Sequence, residues 1–150
     1  MRGPAVLLHV LGVALWLGGG FASMVIAIVT KTDPPEGRIR SARLLATLHQ
    51  RIITPGTLLT LLTGFYLARQ LGPGAAERAG LAGMMGAGLV AGLVTLAIGL
   101  PTANKRALVA RLDASGQLPP IFERLRVRQA IVMTIGGVLA LIALACAYLV

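Results

Sequence analysis

Two histidines, one cysteine and five methionines are the side chains of this 150-residue sequence best suited to a soft or borderline metal or a haem iron. His9 stands out among them. It lies in an apolar stretch, followed by Gly12 and then Trp16, spacings that put all three on one helical face. A histidine in lipid marks a functional position by default, because neither its charge nor its bare ring nitrogens belong in hydrocarbon. The competing reading is a hydrogen bond to a hydroxyl or carbonyl of a neighbouring helix, or to interfacial water. Residue type alone weighs the two equally.

His49 is a different case. It precedes Arg51 at the edge of the second apolar stretch and shares a face with Ile53, Gly56 and Thr60. It reads most simply as an interfacial residue. One haem iron joining both histidines is ruled out by depth, since His9 lies near one end of its helix and His49 near the opposite end of the next. At about 1.5 Å per residue the expected separation along the membrane normal is roughly 24 Å. A layer near His9 is more promising. Met84 and Met85 on the third helix, and Cys146 and Tyr148 on the fourth, fall at similar depth. Such a set suits haem through His and Met, or Cu(I) through soft sulfur. Equally, methionines fill gaps between glycine-rich helices, and Cys146 reads first as a small apolar packing residue.

The elements that must position these residues are four stretches free of charge. They run from Gly3 to Thr30, Ile52 to Ala68, Ala79 to Asn104 and Gln129 to Val150. Roughly 20 apolar residues cross a bilayer as a helix, and lipid offers a bare peptide group no partner. The expectation is an all-α, integral membrane four-helix bundle in one domain over residues 1–150, with helices at about 4–30, 44–70, 79–104 and 126–150. Composition agrees: 56% hydrophobic, 13% charged, mean hydropathy +0.82. The first stretch is too long for the core of a secretory signal and reads as a retained helix.

The net charge of +9 is concentrated between helices. Five basic residues fall between Lys31 and Arg51 and six between Lys105 and Arg128, against two from Arg69 to Arg78 and Arg2 at the start. Basic connections stay in the cytoplasm, so both termini are expected outside, in a bacterial inner (plasma) membrane. These charges suit anionic lipid, not nucleic acid. A double proline followed by Arg-x-Arg occurs in both basic connections, at Pro34-Pro35 with Arg38-Ile39-Arg40 and at Pro119-Pro120 with Arg124-Leu125-Arg126. Each double proline ends a linker and each Arg-x-Arg opens a helix, hinting at two repeated hairpins. Helix 3 is expected to continue through Leu108, Val109 and Leu112 until Gly116. Small residues recur on the helix faces, as Gly12, Gly19, Gly20 and Ser23, then Gly56, Thr60 and Gly64, then Gly88, Gly92, Thr95 and Gly99, then Gly136, Ala140, Ala143 and Ala147. Such faces let membrane helices approach closely. Pro55 removes one backbone bond, so a kink is expected there, eased by Thr54 and Thr57.

The apolar stretches hold no acidic residue, which disfavours a proton relay, cation pathway or voltage sensor. The sequence has no HExxH, phosphate loop or nucleophile elbow, and its single cysteine excludes an internal disulfide.

Two segments resemble a known family. Leu8-His9-Val10-Leu11-Gly12-Val13-Ala14-Leu15-Trp16-Leu17-Gly18-Gly19 resembles the first helix of the HemJ-type membrane protoporphyrinogen oxidases. Arg51-Ile52-Ile53-Thr54-Pro55-Gly56 resembles the entry to their second helix. The first pattern is also similar to that of copper-resistance protein D. The resemblance covers about a quarter of the chain and implies that His9 serves haem binding. That family also carries a His and a Lys near the start of helix 3. The stretch Glu77-Arg78-Ala79-Gly80-Leu81-Ala82-Gly83-Met84 has neither, which counts against porphyrinogen oxidation.

The leading expectation is therefore a small haem- or porphyrin-binding membrane protein, redox-associated but without oxidase activity of its own. Haem b would be bound by His9, with Met84 as second metal ligand, Trp16 shaping the pocket and His49 a further candidate. The alternatives are an accessory subunit of a respiratory or photosynthetic complex, or a copper-handling protein using His9, Met84, Met85 and Cys146. The partners expected are membrane lipids, haem or porphyrin, and either a second copy or a larger membrane complex.

Overall fold

The computed structural model describes residues 2–72, 79–99 and 120–148. These form α1 (Arg2–Val29), a short 3-10 turn (Thr30–Thr32), α2 (Pro35–Leu48), a π-turn (His49–Ile53), α3 (Thr54–Gln70), α4 (Ala79–Gly99) and α5 (Pro120–Tyr148). The described residues contain no strand. Gly116 and the expected extension of helix 3 lie outside them.

Three helical stretches are long and apolar enough to cross a membrane: Gly3–Thr32, Glu36–Gln70 and Gly80–Ala97. α5 spans 29 residues, with an apolar section at Met133–Cys146. The outward faces are apolar, with Leu7, Phe21, Ile28, Leu62 and Phe65 all exposed. Apolar exposure on this scale is unfavourable in water, and it accompanies helices long and apolar enough to cross a membrane.

Helix 2 of the sequence reading begins at about residue 44, but the structure carries the helix back to Pro35 without a break. Proline at the first helical position is pre-set for helix and lacks only an N–H that would have no partner there. In α2, Ile39, Ser41 and Ala46 are buried, and Gly37, Arg40, Ser41 and Leu44 form the side turned toward α1. The Arg38-x-Arg40 opening expected from the sequence thus lies inside α2, three residues past its first position.

The expected irregularity at Pro55 takes a definite form. Proline has no N–H, and its ring crowds the carbonyl four residues back, at Arg51. The turn ahead of it widens, so that the Thr54 N–H donates to the carbonyl of His49. Thr57 adds a hydroxyl bond to the Ile53 carbonyl at 2.8 Å. Residues four apart drift about 40° around a regular α-helix. The wide turn takes up this drift and keeps His49, Ile53 and Thr57, the largest fully enclosed side chains, on one side.

Packing is organised as two antiparallel hairpins, α1 against α3 and α4 against α5, joined mainly by α3 against α4. Backbone approach sets the first pair. A Cβ on Gly12 would meet the Thr60 nitrogen at 2.8 Å, and one on Gly56 would meet the Trp16 nitrogen at 2.9 Å. In the second pair Gly83 faces Cys146 and Gly88 faces Ala143. Among the described residues Trp16, Ile53, Ala91 and Ala140 form the core, one each from α1, the π-turn, α4 and α5.

Candidate functional site

His9 sits on α1 facing α3, half-buried. Its Nδ1 lies 3.1 Å from the Thr60 carbonyl oxygen and 3.0 Å from Thr63 Oγ1. A carbonyl only accepts, and the Thr63 hydroxyl is itself donated to the Leu59 carbonyl. The proton therefore belongs on Nδ1, which donates to both oxygens. In the neutral ring this fixes the tautomer, with the lone pair on Nε2. Among the described residues Nε2 has no hydrogen bond and is not enclosed. Gly64 makes the pose possible, because a Cβ there would stand 3.0 Å from His9 Cε1.

Thr60 is held in turn. Its hydroxyl donates to the Gly56 carbonyl at 2.8 Å, inside the closest approach of α1 and α3. The sequence marked Thr60 only as a small residue on a glycine face and did not single out Thr63. The available signal was the spacing of Thr60, Thr63 and Gly64, which gives one helix face an acceptor pair beside an open space.

Trp16 is buried, 7% exposed. Its indole N–H donates to Thr95 Oγ1 at 3.2 Å, and the Thr95 hydroxyl donates to the Ala91 carbonyl at 2.8 Å. Trp16 thus carries the polar link between α1 and α4. It stands about 10 Å, or two turns, from His9 along α1.

Met84 is half-buried on α4 and Met85 is exposed. Trp16 pairs with Thr95, and Leu61 packs on the Gly92 position, so His9 lies level with the stretch from about Gly88 to Gly92. Met84 stands about 6–12 Å further along the bundle. Cys146 is beside Gly83, with Sγ 3.0 Å from where a Cβ would be, and so shares Met84's level more nearly than that of His9. The side chain of Tyr148 lies outside the described residues. No group of three or more His, Cys, Asp or Glu side chains able to hold a metal is found among the described residues.

His49 is 2% exposed, enclosed within the π-turn and packed toward α1 and α2. The ring is thus held inside the protein and does not stand open at its surface. Thr60 and Thr63, which hold His9, are 11 and 14 residues beyond His49 on the same continuous helix. That is roughly 16–21 Å, so the two histidines occupy separate levels.

No family model, curated protein or solved structure matches this chain.

Proposed function

We propose that this is a small integral membrane protein that binds haem b or a related porphyrin through His9 Nε2, redox-associated and without oxidase activity of its own. The observation that carries the reading is the fixed tautomer at His9. Nδ1–H is committed to the Thr60 carbonyl and Thr63 Oγ1, and Nε2 is left bare. Metal-bound histidines characteristically donate their second ring nitrogen to a carbonyl, which orients the ring and raises the basicity of the ligating atom. A ring nitrogen without a partner is costly in an apolar setting, so Nε2 is the atom open to a ligand. The donor chemistry fits an axial haem ligand, and bound haem supplies a one-electron iron couple. The chain's own part is to hold the ring through Thr60 and Thr63 and to keep α1 against α3 through Gly12 and Gly56. Met84 remains the candidate second ligand on sequence grounds, but the helix register sets it further out, so the reading rests on His9 alone.

The test is an absorption spectrum with a pyridine haemochrome assay on protein from haem-replete cells. Wild type and His49→Ala should carry a Soret band, and His9→Ala should lose it. Colourless wild type would overturn the proposal.

A second reading is an accessory subunit of a larger membrane complex, in which the His9 bond is only a clasp. It is supported by Gly18, Gly86 and Gly137, beside which a Cβ would meet nothing within 4 Å. Outward small residues suit close approach by foreign helices. Purification in mild detergent without any co-purifying partner would remove its support.

A further inference from the structure

A groove of about 460 Å³ opens between α1 and α2 at the end of the bundle opposite His9. This lies within the range of about 300–1,000 Å³ usual for small-molecule sites. Its wall is apolar, built from Val25, Ile26, Val29 and Leu44, and its rim carries Asp33 and Arg40. The rim charges have opposite sign, yet neither has an ion pair among the described residues. The Asp33 carboxylate does not cap α2 either, since that helix has no side-chain cap. Instead the Arg38 Nε donates to the Asp33 backbone carbonyl at 3.1 Å and fixes the turn. Asp33 is further seated against Gly37, where a Cβ would stand 2.9 Å from its own.

An apolar slot with one uncommitted cation and one uncommitted carboxylate at its mouth matches an amphiphile bearing both charges. We propose that the groove binds one aminophospholipid, with an acyl chain along Val25, Ile26 and Leu44, its phosphate on Arg40 and its ammonium on Asp33. A purely anionic lipid would satisfy Arg40 but would leave Asp33 facing like charge. Arg40 suits the phosphate because a guanidinium offers several donors in a planar fork. The general attraction of the five basic residues from Lys31 to Arg51 for anionic surfaces is a separate, non-selective effect.

Native mass spectrometry of the delipidated full-length protein, titrated with phosphatidylethanolamine or phosphatidylglycerol of matched chains, tests this. Wild type should retain the ethanolamine lipid at least threefold better. Arg40→Gln should lower retention of both lipids by a similar factor. Asp33→Asn should abolish the preference while leaving phosphatidylglycerol retention intact. Leu44→Trp fills the slot from an exposed position and should lower both with helix content unchanged. Retention of phosphatidylglycerol equal to or above phosphatidylethanolamine in wild type would overturn the proposal. So would unchanged retention in Arg40→Gln or Leu44→Trp, or loss of both lipids in Asp33→Asn.

Discussion

Gly12→Ala tests the packing on which the His9 site depends. The new Cβ would lie 2.7 Å from Thr60 Oγ1, 2.8 Å from the Thr60 nitrogen and 3.0 Å from the Gly56 carbonyl oxygen. Two of these three are backbone atoms of α3, so no rotamer change relieves the contact and the helices must part. Ordinary contact for a methyl begins at 3.4 Å, so the separation must grow by more than half an ångström. Overpacking of this kind costs typically 1–3 kcal/mol. Alanine recovers up to about 1 kcal/mol of helix propensity relative to glycine. The net expectation is a loss of about 1–2 kcal/mol. At about 2–4 °C per kcal/mol for a chain of this size, that lowers the midpoint by roughly 2–8 °C. Gly18→Ala is the matched control, because its Cβ would meet nothing within 4 Å. It should gain the propensity term alone and hold or raise the midpoint. Thermal unfolding followed by circular dichroism in one detergent, for wild type and both variants, provides the readout. Equal midpoints for Gly12→Ala and Gly18→Ala would refute the reasoning. The His9 Nδ1 distance of 3.1 Å to Thr60 should lengthen with the same movement, so Gly12→Ala should also weaken any Soret band.

Gly92→Ala should be milder than Gly12→Ala, below about 1 kcal/mol, because its Cβ meets only the side-chain end of Leu61, which can turn away; the same unfolding assay checks this. A double-mutant cycle of Trp16→Phe and Thr95→Val should show a coupling of about 0.5–1.5 kcal/mol for the buried indole–hydroxyl bond, and strict additivity would deny it. Lys31→Cys, introduced alongside Cys146→Ala, should react with an impermeant maleimide only after cells are opened. Labelling in intact cells would invert the expected topology.

The helical class, the close glycine faces and the disturbance at Pro55 were legible from residue type, because each follows from local rules: apolar length, absent side chains and an absent N–H. The pairing of Gly12 with Gly56 was not, since it needs the rotation of two helices about their axes. His9's partners were hidden for the same reason. Threonines recur along α3, and only the register selects Thr60 and Thr63 over Thr57. The burial of His49 was not legible because it depends on how α1 packs against the π-turn, which residue type alone does not give. The shared depth of His9, Met84 and Cys146 was inferred by counting from segment ends. The stagger between helices that the Trp16–Thr95 and Leu61–Gly92 pairs reveal cannot be counted that way.

The widened turn at His49–Ile53 makes this part of the chain sensitive to residue number more than to residue identity. One amino acid inserted between Leu48 and Thr54 would exceed the single extra residue the wide turn already holds and swing everything beyond it by about 100° relative to everything before. The Gly56–Thr60 seam would then turn away from Gly12. One residue lost there should instead let the wide turn close to an ordinary α-turn with the register on either side nearly kept.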